Sequence, residues 1–164
     1  MTKNLPKGSK KLLSAWAFYD WANSVYSLVI ASAIFPIFYG ALTIVKDEQG
    51  SIINDTVLFL GFNFNNDTLI SYVTASAFLV VSILSPLLSG IADYIGNKKV
   101  FMKFFCYMGA VSCIGLYWFT IEDLWFGLLC YFFALIGFWA SLVFYNSYLP
   151  DIAFKEQQDK ISAK

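Results

Sequence analysis

The chain has 164 residues, of which 59% are hydrophobic, 20% aromatic and 13% charged, with a mean hydropathy of +0.63. Water-soluble domains carry about 25% charged residues and about 45–50% apolar ones, so this composition excludes an ordinary water-facing shell and points to lipid as the solvent. All eleven basic residues are Lys, against eleven acidic ones, and there is no Arg or His. Zero net charge and no guanidinium group argue against nucleic acid as a partner.

Residues 1–13 form a short polar tail with Lys3, Lys7, Lys10 and Lys11 around Pro6 and Gly8. The apolar run behind it is long, aromatic and interrupted by Asp20 and Asn23, with no small-residue cleavage pattern, which argues for a retained tail rather than a signal peptide. Four apolar segments follow, at about 14–43, 69–91, 100–120 and 124–149. Each approaches the roughly 20 residues that a helix needs to cross the hydrocarbon core. The expected fold is therefore all-α, a polytopic membrane protein of four transmembrane helices.

Residues 46–68 are polar around a short β-branched and aromatic run, Ile52 to Leu60, too short to span, which predicts a small hairpin or a lid-like extension on the outward side. Nine of the eleven Lys fall in the tail, the link after the second segment or the C-terminal stretch 150–164, Lys103 stands in the first turn of the third segment beside that link, and only Lys46 falls opposite. By the positive-inside bias both termini are expected in the cytoplasm, in an integral membrane protein of a bacterial inner membrane. Trp16, Trp21, Tyr39, Tyr72, Tyr94, Trp118, Trp125, Tyr145 and Tyr148 lie near proposed span ends, where aromatic side chains anchor helices at the headgroups.

Polar groups inside a span need a cavity, a partner or the headgroup boundary. Asp20 and Asn23 are three apart and share a helix face, which fits either a headgroup-level cap or part of a solute or ion path. Asn146 stands four residues before Pro150, where the last span should stop, and a helix-terminus role competes with solute contact. The second segment carries recurrent small residues, Ser71, Thr74, Ala75, Ser76, Ser82, Ser85, Ser89 and Gly90, with Pro86 among them, and the fourth carries Gly127, Ala134, Gly137 and Ala140. Both sets suit close helix contact. The third segment reads as the more lipid-facing one. Cys106, Cys113 and Cys130 have neither zinc nor disulfide spacing and read as buried small hydrophobes; no metal, cofactor or enzymatic cluster is implied.

The link from the second to the third segment runs Ser89-Gly90-Ile91-Ala92-Asp93-Tyr94-Ile95-Gly96-Asn97-Lys98-Lys99. A carboxylate at a membrane exit, a glycine able to reverse the chain and a Lys pair facing anionic lipid suit a conformational latch. In Asp93, Gly96, Lys98 and Lys99 this loop resembles the signature between helices two and three of the major facilitator superfamily, with Ser89 where its leading glycine is usual. The stretches Trp16 to Tyr26 and Phe144 to Pro150 resemble the UMF1 branch of that superfamily, which includes a fungal vacuolar amino acid effluxer, and the resemblance covers nearly the whole chain. It implies a secondary transporter of twelve helices in two halves, moving a small solute by alternating access, with amino acids the nearest analogy. Four spans would be its first third, with residues 150–164 leading toward a fifth helix. The chain alone is then not expected to transport, and the remaining helices become its partners beside lipid and solute; proton or sodium coupling stays open. The alternatives are a small four-helix protein acting as an oligomeric transporter and a non-transporting assembly or accessory protein.

Overall fold

The computed structural model describes residues 6–162, apart from the side chains of Ala92, Asp93 and Ile95. Among the described residues four helices are long and apolar enough to cross a membrane: Lys10–Thr43, Asn66–Ile91 within a longer helix, Lys98–Trp118 and Leu124–Ile152. The first is continuous but changes its winding, with α1 at Lys10–Val25, a π-helical segment at Tyr26–Ile34 and α2 at Phe35–Thr43. Pro36 lies just beyond the wide segment. A proline has no N–H to donate and its ring collides with the carbonyl one turn back, and a locally wider helix relieves that collision. Ser32 Oγ, donating to the carbonyl of Ser27 at 2.6 Å, takes up one backbone oxygen of the segment.

Two antiparallel hairpins fill the link to the next helix. The first pairs β1 (Val45–Lys46) with β2 (Ile52–Asn54), and the second pairs β3 (Thr56–Phe59) with β4 (Phe62–Asn65). No separate loop follows, because α3 (Asn66–Ile95) begins at the next residue. Asn65 Oδ1 accepts from the amide of Asp67 at 3.1 Å, and Asn66 Oδ1 accepts from the same amide at 2.8 Å, so side chains supply the partners that a first helical turn lacks. Gly96, at φ 69°, then closes α3 in the left-handed conformation that only glycine adopts without penalty. Lys98 opens α4 (Lys98–Gly115), which runs through a 3₁₀ turn at Leu116–Trp118 toward α5 (Leu124–Ile152) and the short α6 (Lys155–Ser162).

The expectation that Pro150 stops the last span is corrected, because α5 continues two residues beyond it to Ile152. The tail explains how the end is held: the amide of Gly8 donates to the Ile152 carbonyl at 2.8 Å, and Lys7 Nζ donates to the Pro150 carbonyl at 2.6 Å. The helix end thus receives donors from the far end of the chain.

α5 is the central element. In its most apolar stretch 56% of residues are buried, against 11%, 17% and 6% for the other three spans, so the others pack on it while turning large faces outward. Its side toward α4 is where backbones come closest. A Cβ placed on Gly137 would lie 2.6 Å from the Gly109 nitrogen and 2.7 Å from the Phe105 carbonyl oxygen. The third span therefore leaves one side open, with Phe104, Tyr107, Val111 and Ile114 exposed, while Phe105 and Gly109 pack on α5. On the α2 side, Phe35 stacks on Tyr131 with ring centroids 3.8 Å apart. In lipid, contact of this kind rather than hydrophobic expulsion holds helices together.

Two of the expected headgroup anchors are corrected as well. Tyr39 and Tyr145 are each only 2% exposed. The Tyr39 hydroxyl donates to the Asn66 carbonyl at 3.2 Å, and Asn66 Nδ2 donates to Thr43 Oγ1 at 3.2 Å, a buried polar knot tying α2 to the start of α3. Gly90 of α3 behaves differently from Gly137 of α5: a Cβ on it would meet nothing within 4 Å. Gly137→Ala is accordingly expected to destabilise the bundle by about 1–3 kcal/mol through a clash against backbone. Gly90→Ala is expected to be neutral or slightly stabilising. Thermal unfolding of both variants in the same detergent checks the contrast.

Candidate functional site

Two places hold the polar groups that a bilayer would penalise. The first runs along α1 where it meets α5. Trp16 and Tyr145 stack with centroids 4.3 Å apart at 10°, and they exchange hydrogen bonds: Trp16 Nε1 donates to the Tyr145 carbonyl at 3.3 Å and the Tyr145 hydroxyl donates to the Trp16 carbonyl at 3.1 Å. Tyr19 stacks on the same Tyr145 ring at 5.1 Å. The two stretches singled out separately in the sequence thus meet in one contact. Reciprocal bonding from side chain to backbone fixes the rotation of α1 about its axis, and with it the direction of every polar residue one and two turns farther on.

One turn on, Asp20 and Asn23 line a cavity of about 210 Å³ with Ser24, Ser27 and residues Phe138, Trp139 and Leu142 of α5. Asp20 is exposed and Asn23 half-buried. Asn23 also borders a second cavity of about 170 Å³ between α1, α4 and α5, together with Tyr26, Cys106, Cys113 and Ser141. The side-chain atoms Asn23 Nδ2 and Tyr26 Oη are buried and have no hydrogen-bond partner among the described residues, while the Tyr19 hydroxyl lies beside Ser141 and Cys106. Positions 19, 23 and 26 follow the i, i+4, i+7 pattern of one helix face, so the two unsatisfied groups, Asn23 and Tyr26, stand in line with Tyr19. Each costs about 1–3 kcal/mol unless water or a solute bonds to it. The structure brings Asp20 and Asn23 together and leaves Asn146 apart, exposed on α5 and outside both cavities.

The second place is the Lys-rich end. Lys98, at the start of α4, donates to the Ser147 carbonyl at 3.3 Å and forms an ion pair with Asp151 Oδ2 at 3.3 Å. The loop between α3 and α4 is thereby tied to the end of α5, next to the point where Lys7 and Gly8 of the tail also bind. Gly96 reverses the chain, Ser89 is half-buried, and Gly90 and Lys99 are exposed. The Asp93 side chain, on which the latch expectation turns, lies outside the described residues. Asp151 and Tyr145 were not singled out as site residues in the sequence. Asp151 follows Pro150 directly, but nothing in a linear reading pairs it with Lys98, 53 residues away.

Among the described residues no group of three or more His, Cys, Asp or Glu side chains could hold a metal ion. The bundle thus combines apolar helices, a polar cavity on α1 and, tied to a helix end, the basic loop that resembles the major facilitator superfamily signature. The chain belongs to the family described as vacuole effluxer Atg22 like, in the UMF1 branch of that superfamily, matching it over residues 8–164. It is 34% identical over 151 residues to the uncharacterized MFS-type transporter YxiO of Bacillus subtilis (strain 168), covering 92% of this chain and 32% of that one. Similarity extends to autophagy-related protein 22 of Coccidioides immitis (strain RS), 28% identical over 87% of this chain and 28% of the relative. The same protein of Chaetomium globosum is 27% identical over 87% of this chain and 24% of the relative. The chain therefore spans between about a quarter and a third of the length of these relatives. No solved structure matches it.

The Trp16 and Tyr145 pair is testable by a double-mutant cycle with Trp16→Leu and Tyr145→Leu. Loss of the stacked, mutually bonded pair predicts a coupling of about 0.5–3 kcal/mol in unfolding stability. Strict additivity would show that the two side chains act independently.

Proposed function

We propose that the chain supplies the first four helices of a secondary active transporter for a small polar solute, with both termini in the cytoplasm of a bacterial inner membrane and the rest of the transport path built by further helices. The observation that carries this reading is the cavity on α1, lined by the exposed Asp20 and by Asn23, whose buried amide nitrogen has no partner among the described residues. A carboxylate accepts from an ammonium group, and an amide nitrogen donates to a carboxylate. A zwitterionic solute such as an amino acid offers both. The Asp20 carboxylate is equally able to carry a proton or meet a sodium ion as the coupling group.

In this reading the loop with Ser89, Gly90, Asp93, Gly96, Lys98 and Lys99 governs closure on the cytoplasmic side rather than solute binding. Its support is the tie from Lys98 to Asp151 and the Ser147 carbonyl, which makes the loop move with the end of α5. An exposed ion pair of this kind is worth about 0–1 kcal/mol, small enough to be broken and remade in each cycle. At the Lys-rich end of α3, seven residues or about 10 Å beyond Ile83, nothing fills the space around Gly90, which leaves room there for a close-packed partner. In the leading reading that partner is another helix of the same transporter; in the second, a further copy of this four-helix unit, which crosslinking in membranes would reveal as a dimer.

Two variants in the transport-competent protein separate the roles. Asp20→Ala is expected to lower apparent solute affinity or ion coupling by roughly ten- to a hundredfold, equivalent to about 1.5–3 kcal/mol for a hydrogen bond to a charged group. Wild-type flux from that variant would remove Asp20 from the path. Asp93→Asn is expected to leave solute affinity intact while changing the balance of inward- and outward-open states, measured by accessibility labelling. An unchanged balance would count against the latch.

A further inference from the structure

The β3–β4 hairpin carries a feature that neither transport nor bundle packing uses. Its two-residue turn, Leu60-Gly61, joins the paired residues Phe59 and Phe62, with φ of 51° at Leu60 and 84° at Gly61. Positive φ at both central positions is the mark of a type I′ turn, in which Asn-Gly or Asp-Gly is favoured because a short polar side chain tolerates the left-handed region. Leu60 is the single non-glycine residue with positive φ among those described. A leucine here is strained, and backbone strain of this kind persists where the side chain serves some other purpose.

That side chain is 80% exposed, and its neighbours Leu58 and Phe62 are 68% and 69% exposed. A hairpin with one face in water alternates apolar and polar residues, but from Val57 to Phe62 this one is apolar on both faces and carries no charge. The inner face is already used, with Val57 buried and Phe59 and Phe64 packed against the core. The turn of the neighbouring hairpin, Asp47 to Ser51, is polar and exposed or half-buried, so the apolar tip is particular to the second hairpin.

The position of the tip supplies the remaining observation. Phe59, Leu60, Phe62 and Phe64 share an apolar groove of about 350 Å³ with Leu69, Tyr72, Val73 and Ser76 of α3. Phe64 meets Tyr72 edge to face at 6.5 Å. The hairpin therefore folds back along α3 rather than projecting from its end. The polar run Asn65 to Thr68 marks the headgroup level, and Ser76 lies eight residues, or about 12 Å, farther along the helix. The tip thus lies along the membrane-length apolar part of α3, on the same side as the exposed Leu79 and Ile83.

We propose that the β3–β4 hairpin is a membrane wedge whose tip, Leu58 to Phe62, inserts into the leaflet beside α3, with a phospholipid acyl chain occupying the groove between the hairpin and Tyr72 to Ser76. An aqueous loop selects asparagine at position 60, and an acyl-chain environment selects against its amide, which accounts for the strained leucine. The inference requires α3 to span the bilayer and is independent of what the protein transports.

Photolabelling of the wild-type protein tests it without altering the chain. The protein is reconstituted in phosphatidylethanolamine and phosphatidylglycerol vesicles containing a phospholipid with a diazirine on its acyl chain, irradiated, and mapped by mass spectrometry. Label is expected on Phe59 to Phe62 as well as on Leu79 and Ile83, and not on Asp47 to Ser51. Label on α3 with none on the hairpin tip would overturn the proposal, whether the tip is then in water or covered by another protein surface. Leu60→Asn provides the second measurement: label on the tip is expected to fall several-fold while label on Leu79 and Ile83 persists. Unchanged labelling of the tip in that variant would show that Leu60 does not hold it in lipid.

Discussion

The glycine contact between α4 and α5 is the constraint from which the rest of the arrangement follows. Gly137 admits no Cβ against the backbone of Phe105 and Gly109, so α5 is held at minimum distance from α4 along one side and offers its remaining surface to the other helices. In a solvent as apolar as leucine there is no hydrophobic penalty to drive helices together, and close backbone approach supplies dispersion contacts instead. With α5 fixed, the Tyr145 ring is a buried platform, Trp16 and Tyr19 stack on it, and the rotation of α1 is determined. The line of Tyr19, Asn23 and Tyr26 then falls against α4 and α5, while Asp20 turns toward the open side. One pair of glycines therefore decides which polar groups of α1 meet protein and which meet the space outside it.

The two ends of the bundle are closed by different means. At the hairpin end, Tyr39, Thr43 and Asn66 form a buried hydrogen-bonded knot that ties the first span to α3. At the Lys-rich end, the ties are an exposed ion pair and donors reaching carbonyls near a helix terminus. Buried neutral networks are rigid and costly to break, whereas exposed pairs are cheap. The Lys-rich end is therefore the cheaper of the two to rearrange.

Much of the architecture was legible in the sequence. Four membrane-length helices follow from length and apolarity alone, and residues 46–68, too short and too polar to span, do form hairpins. What was lost is whatever depends on contacts between distant residues. Tyr39 and Tyr145 read as headgroup anchors because they lie near span ends, yet both are buried by partners that proximity in sequence does not announce. Pro150 read as a stop, but donors from Lys7 and Gly8 support a helix that runs past it. The π-helical stretch left no periodic signal in a uniformly apolar segment, where a change of winding moves no polar residue from one face to another. For the site, Asp20 and Asn23 were visible as a pair from their spacing. The Lys98 and Asp151 pair was hidden by 53 residues of intervening chain.

The account turns on whether the polar face of α1 lines a path or ends at the headgroups, and Ser27 decides it most directly. Ser27 lines the same cavity as Asp20 but lies seven residues, or about 10 Å, deeper along the helix. With Cys106, Cys113 and Cys130 replaced by Ala, the measurement is labelling of Ser27→Cys in intact membranes by a charged, membrane-impermeant thiol reagent, compared with Leu28→Cys one position round the helix. A water-lined path predicts fast labelling at position 27 and slow labelling at position 28, with candidate solutes protecting position 27. Equal, slow labelling at both, beside fast labelling of Asp20→Cys, would show that the polar face stops at the headgroups and would contradict the account.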